Sequence, residues 1–306
     1  MRHVKVGSQA VREWISLYTN GSSTTKIAKQ YGVHSSTVSR NLGCYITLRD
    51  RLAALVTAST KYPKTPFTGD EGEGAFLAGL VEDLNVRIAG RLIELNSTTT
   101  HPAMGQLFRK IFTRFGHPTL RPGYNPRGYY QYHLAVSLHR SFEPFLRKLE
   151  NMPVWVPQSS DDPIFQAYLA GLIAAEGCIR LYCGNRRAHA VLHITLNKPS
   201  LLVQLSRIVG GNLYEVQRAW RLVIYGKAAV ELLRRLDIRH QEKVDKAKLV
   251  MDHAGEKWPT VEPLWLGLVN SIKVQVNKYK AQARFEYIEK HGSPHPAETR
   301  IAEVAL

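Results

Sequence analysis

The acidic residues that could carry chemistry stand near the ends of two similar apolar stretches. The first stretch, Phe76 to Asn85, contains Glu82 and Asp83, and the second, Tyr168 to Gly177, contains Glu176. The two stretches lie 92 positions apart, a spacing that predicts a duplicated half-domain. Carboxylates are ligands for hard divalent cations. Their chemistry therefore depends on whether the chain brings the two ends together.

Small side chains predict that the two stretches pair as helices. They recur every four residues, at Ala75 and Gly79 in the first stretch and at Ala167, Gly171 and Ala175 in the second. On a helix such residues form one stripe, and two stripes of small residues allow close approach of the backbones. The helix ends then meet, with Leu84 opposite Glu176. Asn85 and Gly177 are predicted to end the helices in the left-handed conformation.

These stretches resemble the paired motifs of the LAGLIDADG homing-endonuclease family, and the second copy is the closer match. The resemblance implies two αββαββα halves in one chain, with the motif helices as their interface. It also implies that a penultimate acid in each motif binds a divalent metal beside the scissile phosphates. Glu176 occupies that position in the second motif, where it is the candidate catalytic and metal-binding residue, whereas Leu84 occupies it in the first.

Leu84 cannot bind a metal, so this departure from the family pattern predicts degenerate or absent cleavage. The neighbouring acid, Asp83, is a weaker candidate catalytic residue. A step of one residue on an α-helix rotates a side chain by about 100°. Only a distorted helix end would therefore bring Asp83 to Glu176. The alternative to the whole interpretation is a pair of unrelated buried apolar helices.

The composition predicts a polyanionic partner. The 306 residues include 41 Lys and Arg against 25 Asp and Glu, a formal charge of +16, which favours nucleic acid over a membrane surface. The longest apolar run is too short to span a bilayer, and the N-terminus lacks the apolar segment of a signal peptide. We expect a cytoplasmic, nucleoid-associated protein. Cys178 and Cys183 fall in a strand-like run and are predicted to be packing residues.

Residues 9 to 43 are predicted to form a helix-turn-helix module. Val11, Trp14 and Tyr18 have helical spacing, Asn20-Gly21-Ser22 breaks that helix, and Gly32-Val33 makes the turn before a last helix. The pattern resembles the helix-turn-helix of resolvases, transposases and bacterial regulators, in which the last helix enters the major groove. Its candidate DNA-binding residues are Ser35, Ser36, Thr37, Arg40 and Asn41. A packing module that touches no DNA is the alternative.

The rest of the chain repeats the order helix, strand, strand, helix, strand, strand, helix. The predicted class is therefore α+β, with a helix-turn-helix domain before the two αββαββα halves and helices after them. The resemblance implies that the two halves form a pseudo-two-fold pair with a β-saddle. The predicted boundaries are 1–60 for the helix-turn-helix domain, 61–72 for a linker, 73–152 for the first half, 153–163 for a second linker, 164–255 for the second half and 256–306 for a C-terminal helical extension. A helix over 141–150 is predicted to close the first half. The extension is predicted to contain a helix over 264–291 with a break near Asn270.

Strand alternation gives candidate DNA-binding residues on the predicted sheets. Polar side chains alternate with apolar ones at Arg87, Gln131 and His133 in the first half and at Arg180, Tyr182, His193, Thr195 and Arg221 in the second. A polar, cation-rich face fits readout of a DNA groove. It also fits any antiparallel sheet with one solvated side.

Together these patterns favour a monomeric, duplex-DNA-binding protein with internal pseudo-two-fold symmetry and, without cleavage, no cofactor. One alternative is an active, Mg²⁺-dependent homing endonuclease that cleaves or nicks a long DNA site. A further alternative is a maturase that binds intron RNA. The helix-turn-helix favours duplex DNA, whereas exposed stacking aromatics on a sheet would favour RNA.

Overall fold

The N-terminal part of the chain folds into three short helices. The computed structural model describes residues 8–48, 62–89 and 92–298. The helices are α1 (Ser8–Thr19), α2 (Thr24–Tyr31) and α3 (Ser35–Gly43). Trp14, Ile27 and Val38 lie in their shared core. Gly32 has a φ of 65°, in the left-handed region that glycine adopts without strain, and this allows the turn between α2 and α3. The predicted tail of this domain, 49–61, lies outside the described residues.

Two copies of the order helix, strand, strand, helix, strand, strand follow, and the second copy is closed by a further α-helix. The first comprises α4 (Glu71–Leu80), β1 (Asn85–Ala89), β2 (Leu92–Thr99), α5 (Pro102–Phe112), β3 (Thr119–Asn125) and β4 (Tyr129–His139). The second comprises α6 (Pro163–Glu176), β5 (Gly177–Gly184), β6 (Arg187–Leu196), α7 (Pro199–Val209), β7 (Asn212–Val216), β8 (Ala219–Tyr225) and α8 (Gly226–Arg235). The strand orders, β1-β2-β4-β3 and β5-β6-β8-β7, are equivalent antiparallel sheets. The predicted α+β duplication is confirmed.

The motif helices α4 and α6 pack with their backbones in contact. A Cβ added at Gly79 would lie 2.0 Å from the carbonyl oxygen of Tyr168, and one added at Gly171 would lie 2.0 Å from that of Phe76. Ala75 packs into the core of the second half and Ala170 into that of the first. Both helices also begin alike, because their N-caps, Asp70 and Asp162, are 92 positions apart. The helix pairing predicted from the small residues is confirmed.

Three local predictions were wrong. The helix predicted to close the first half is a short 3₁₀ helix, Arg140–Phe145, because Pro144 has no N–H with which to continue an α-helix. The predicted break near Asn270 is absent from the continuous helix α10 (Trp258–His291), which follows α9 (Gln241–His253). Neither Asn85 nor Gly177 is left-handed, because Asn85 begins strand β1 and Gly177 is extended with a φ of −77°. It is a glycine because a Cβ there would lie 2.7 Å from the backbone of Ile173.

Helix α10 crosses both halves. Near its start Val261 and Trp265 pack in the core of the second half, and near its end Ala283 packs in the core of the first. Tyr279 also lies against Tyr132 of β4, with ring centroids 4.4 Å apart. None of the described helices combines the length and apolar character that crossing a bilayer requires.

Candidate acid pair and nucleic-acid interface

The two motif helices end differently, and this decides which acids face each other. Helix α6 stays α-helical up to Glu176, and Gly177 is then extended. Helix α4 stops at Leu80, a 3₁₀ turn covers Val81–Asp83, and Leu84 is then extended, with a φ of −106°. Three 3₁₀ residues rise about 6 Å, the same as four α-helical residues. Asp83 therefore corresponds to Glu176, and the first motif is one residue shorter than the second.

Leu84 does not face Glu176, so that prediction was wrong. Leu84 is only 1% exposed and packs in the core of the first half with residues of α4 and β2. It takes this inward direction because it is the first extended residue after the helix, as Gly177 is in the second half. The distorted helix end that Asp83 needed is supplied by the 3₁₀ turn.

The sequence contains a signal for this shift. Before the turn, equivalent residues such as Gly79 and Gly171 lie 92 positions apart. In the strands that follow, Val86 and Ile88 lie opposite the buried Leu95 and Ile93 on β2. Their equivalents on β5 are inward-facing residues 93 positions later, Ile179 and Leu181. The distance in sequence between equivalent residues of the two halves therefore increases from 92 to 93. The end of the first motif must accordingly be one residue shorter than the end of the second.

Asp83 and Glu176 form a half-buried pair of acids that disfavours two negative charges. Burial, and then the charge of Glu176, raise the pKa of Asp83 to about 6, although the ammonium of Lys243 opposes the increase. Burial also raises the pKa of Glu176, and Lys243 offsets only part of that increase. A cation bound beside the two carboxyl groups would stabilise their ionised forms.

Two lysines bind the ends of the two motif helices in equivalent ways. The Nζ of Lys243 donates hydrogen bonds to the carbonyl oxygens of Ile173, Ala174 and Ala175 at 2.8, 2.7 and 3.1 Å. The Nζ of Lys148 donates to the carbonyl oxygen of Glu82 at 2.8 Å. Both ammonium groups meet the negative end of a helix dipole.

The environments of these lysines differ. Burial lowers the pKa of Lys243 to about 8, against the opposing charges of Asp83 and Glu176. Lys148, by contrast, is exposed. The acids therefore interact with one partly buried and one exposed ammonium group. Sequence reasoning missed both lysines, because neither belongs to a recognisable motif.

An open cleft runs from Asp83 along the outer face of the first sheet. It has a volume of about 850 Å³, and Asn96, Thr98, His133 and Lys148 line it. The acid pair is thus continuous with a polar sheet surface.

Cys178 lies two residues beyond Glu176 and directly opposite His193 on β6. Burial raises the pKa of its thiol, but hydrogen bonds to His193 and Arg180 outweigh burial and lower the pKa to about 7. The Nε of Arg180 donates to the sulfur at 3.2 Å. Cys178 is half-buried and Cys183 is exposed, so the prediction that both are packing residues was wrong.

Most of the predicted sheet contacts lie on accessible positions. Arg87, His133, Arg180 and Tyr182 are exposed, whereas His193, Thr195 and Arg221 are half-buried. The Nε of Arg221 donates to the Oγ1 of Thr195 at 3.1 Å. Gln131 is the exception. It is 6% exposed, and its Oε1 accepts a hydrogen bond from the Nδ2 of Asn125 on the adjacent strand, so it cannot contact a ligand in this conformation.

In α3, Ser36 and Arg40 are exposed, and Ser35, Thr37 and Asn41 are half-buried. The Nδ2 of Asn41 donates to the carbonyl oxygen of Thr37 at 2.8 Å, so this side chain is occupied within the helix. His34, which the sequence did not single out, caps the helix by accepting from the backbone N–H of Ser36. The exposed surface of α3 is therefore smaller than predicted.

The donor set of the acid pair suits a hard cation. Within residues 8–48, 62–89 and 92–298, no cluster of three or more His, Cys, Asp or Glu side chains is arranged to hold a metal ion. Two carboxylates are nevertheless enough for Mg²⁺, which retains several waters and takes substrate phosphates as its other ligands. The residues present fit Mg²⁺ and do not form a closed protein cage.

Comparisons with known proteins find similar solved structures. The chain is similar to the homing endonuclease I-WcaI bound to its DNA recognition sequence, with 14% identity and a TM-score of 0.44 over 59% of this chain and 88% of that one. It is similar to I-DmoI in complex with DNA and Mn, with 16% identity and a TM-score of 0.38 over 54% and 96% of the two chains. It is also similar to the N-terminal LAGLIDADG domain of DUF199/WhiA, with 18% identity and a TM-score of 0.38 over 60% and 90%. No protein-family model and no curated protein matches the sequence.

Proposed function

We propose that the protein is a monomeric, duplex-DNA-binding endonuclease that hydrolyses phosphodiesters with a divalent cation at Asp83 and Glu176. The observation that carries this proposal is the 3₁₀ turn Val81–Asp83, which gives the first motif an acid at the position of Glu176. The proposal takes the active alternative rather than the silent one, because Leu84 does not interrupt the acid pair. One chain supplies both acids, so a second copy is not needed.

Charge and surface chemistry support duplex DNA as the substrate. The formal charge of +16 favours a polyanion. The cleft beside Asp83 leads onto a sheet face with His133, Asn96 and Thr98, which can hydrogen bond to base edges. The exposed Arg40 on α3 adds a second basic surface. We propose that α3 contacts DNA outside the sequence that the two sheets cover.

Asp83 and Glu176 would hold Mg²⁺. The bound cation would supply Lewis-acid stabilisation of the charge that develops on the phosphodiester. The exposed ammonium of Lys148 is available to a phosphate in the cleft. Lys243 keeps positive charge beside the acids and anchors the last carbonyls of α6, which orients Glu176.

The proposal is tested by incubating a plasmid library that contains random duplexes with Mg²⁺ or Mn²⁺. We expect nicked or linear product with the native chain. The same chain with EDTA should give none, and neither should the variants Asp83→Asn and Glu176→Gln. The control Glu289→Gln alters an exposed carboxylate on α10 and should cut normally.

Cutting that persists in both acid variants would refute the role of the acid pair. A native chain that selects a duplex sequence but leaves it intact with either cation would show a silent DNA-binding protein instead.

The contribution of α3 has its own test. Arg40→Ala should weaken binding to a selected duplex and reduce the slope of log affinity against log salt by about one, because one phosphate contact is lost. Lys29→Ala, an exposed cation on α2, is the matched control and should change affinity less. Equal effects of the two variants would exclude a specific role for α3.

A further inference from the structure

The two sheets present different chemistry on equivalent outer faces. On the first sheet, Arg87, Glu94 and Ser137 are neighbours across β1, β2 and β4, and Asn96 and Thr98 continue the same face. All five of these side chains are hydrogen-bonding groups. On the second sheet, the corresponding rows contain Tyr182, Tyr214 and Tyr225. The second face therefore carries three tyrosines in addition to polar side chains such as Arg180, His193, Thr195 and Arg221.

The three tyrosines form one group. Tyr182, Tyr214 and Tyr225 are 43%, 44% and 44% exposed, so three large rings are accessible on one sheet face. A hydrogen bond to Tyr214 raises the pKa of Tyr225, and Tyr182 lies near enough to raise it slightly further. On the far side Tyr182 lies against His189, with ring centroids 5.5 Å apart.

Apolar residues lie between the rings and cations border them. On this face Val191 lies opposite Tyr225, and Val223 lies opposite Asn212. Both valines are buried, at 9% and 5% exposed. Arg180 lies beside Val191, and Arg221 lies beside Tyr214. The result is an apolar, aromatic patch within reach of groups that can contact phosphate.

A duplex offers such a patch only one apolar partner. The faces of paired bases are stacked on one another, so a protein in the major groove meets base edges. The only apolar group on those edges is the 5-methyl group of thymine. Unpaired bases would instead expose their faces for stacking on tyrosine.

We propose that the two sheets read unlike half-sites, and that the second sheet recognises a half-site rich in thymine methyl groups through Tyr182, Tyr214 and Tyr225. The first sheet reads its half-site by hydrogen bonds. This inference rests on the proposed function, because it assumes a duplex ligand, and it adds the chemical class of the sequence that is bound.

The test uses the selected duplex with thymine replaced by deoxyuridine, which removes the methyl group and keeps every hydrogen bond. Replacement in one half-site should lower affinity about fourfold for each contacted methyl group, and replacement in the other half-site should have little effect. Tyr225→Ser with Tyr214→Ser should abolish the difference, whereas Tyr225→Phe should preserve it. His133→Ala, on the first sheet, should weaken binding and leave the methyl dependence unchanged.

Duplex binding with no methyl dependence in either half, or with equal dependence in both, would overturn this inference and leave the proposed function intact. Tighter binding to an unpaired strand than to the duplex, lost in the tyrosine variants, would overturn it in favour of base stacking. Absence of binding to any duplex would remove the proposed function and the inference together.

Discussion

Asp83 is an acid that the folded protein holds at an energetic cost. Its pKa rises from 3.8 to about 6 on folding, through burial first and then the charge of Glu176. Between these values the native state keeps a proton that the unfolded state has lost, so this group makes the protein less stable as the pH rises through that range. Above about pH 6 the cost is fully present. A bound cation would remove it.

Replacing this acid should therefore stabilise the protein while it abolishes cleavage. Asp83→Asn is neutral at every pH, and we expect it to raise the free energy of unfolding at pH 7.5 without divalent ions by about 1–3 kcal/mol. Below about pH 3 the advantage should vanish, because aspartate is then almost fully protonated in both states. Urea unfolding at the two pH values measures this. A variant less stable than the native chain at pH 7.5 would contradict the electrostatic account.

The same pKa sets the pH dependence of cation binding. Both carboxylates must be ionised to hold a divalent ion, so affinity should fall as the pH drops through about 6. Lys243, with a pKa of about 8, adds a second increase in affinity at alkaline pH as its positive charge is lost. Calorimetric titration with Ca²⁺ between pH 5 and 9 should show both changes. If the affinity for Ca²⁺ did not change between pH 5 and 9, a site at the acid pair would be refuted.

Leu84 offers a contrasting substitution at the neighbouring position. Leu84→Asp buries an unpaired carboxylate in the first core, so we expect a loss of several kcal/mol of stability and no gain of cleavage. Leu84→Met, which keeps the volume, should cost less than about 1.5 kcal/mol. Thermal unfolding and the plasmid assay measure both effects. A stable Leu84→Asp variant with more cleavage would instead show that position 84, and not Asp83, faces Glu176.

At the scale of secondary structure, the sequence predicts the helices and strands, whose residue patterns repeat. It does not predict the single 3₁₀ turn at the end of the first motif. The stripes at Gly79 and Gly171 and the strand alternation predict the helix pairing and both sheets, because burial imposes a fixed period on each element. The match between the two motifs aligns them without a gap, so it cannot reveal that three 3₁₀ residues replace four α-helical ones. The prediction for Gln131 was wrong for a different reason. Strand alternation predicts correctly which face of the sheet Gln131 lies on, but it does not predict that Asn125 hydrogen bonds to its side chain.

The helix crossing gives a sharp prediction for a small change. Gly79→Ala would place a methyl group 2.0 Å from a backbone oxygen of α6, which cannot move without separating the halves. We expect a loss of about 2–4 kcal/mol, in the range measured for overpacked cores and beyond. Gly267→Ala on α10 is the matched control, since nothing lies within 4 Å, and it should stabilise by about 1 kcal/mol. Urea midpoints compare them, and a neutral Gly79→Ala would refute the close crossing.

Across the whole molecule, a buried ion pair joins the two halves. The Nζ of Lys198, before α7, lies 2.9 Å from the Oε1 of Glu82, and their side chains are 9% and 7% exposed. Lys198→Met leaves Glu82 buried without its partner, so we expect a loss of about 3–5 kcal/mol in a single cooperative transition.

The exposed pair of Lys227 and Glu231 provides the control for this prediction. Its side chains are 90% and 48% exposed, and Lys227→Met should change stability by less than about 1 kcal/mol. Chemical denaturation followed by fluorescence compares the variants. Two separate transitions in Lys198→Met, or losses of equal size, would show that the pair does not couple the halves.

Helix α10 has a consequence for the order in which the chain becomes complete during synthesis. The tyrosines of β4 are covered by Tyr279 and Tyr287, which emerge from the ribosome more than 130 residues after that strand. Part of the apolar surface of the first half therefore stays exposed until helix α10, which lies outside that repeat, has been synthesised. A chimera that exchanges only one repeat with another protein would lack that covering helix or carry it without its partner. Recombination at the motif boundaries alone would therefore not yield interchangeable modules.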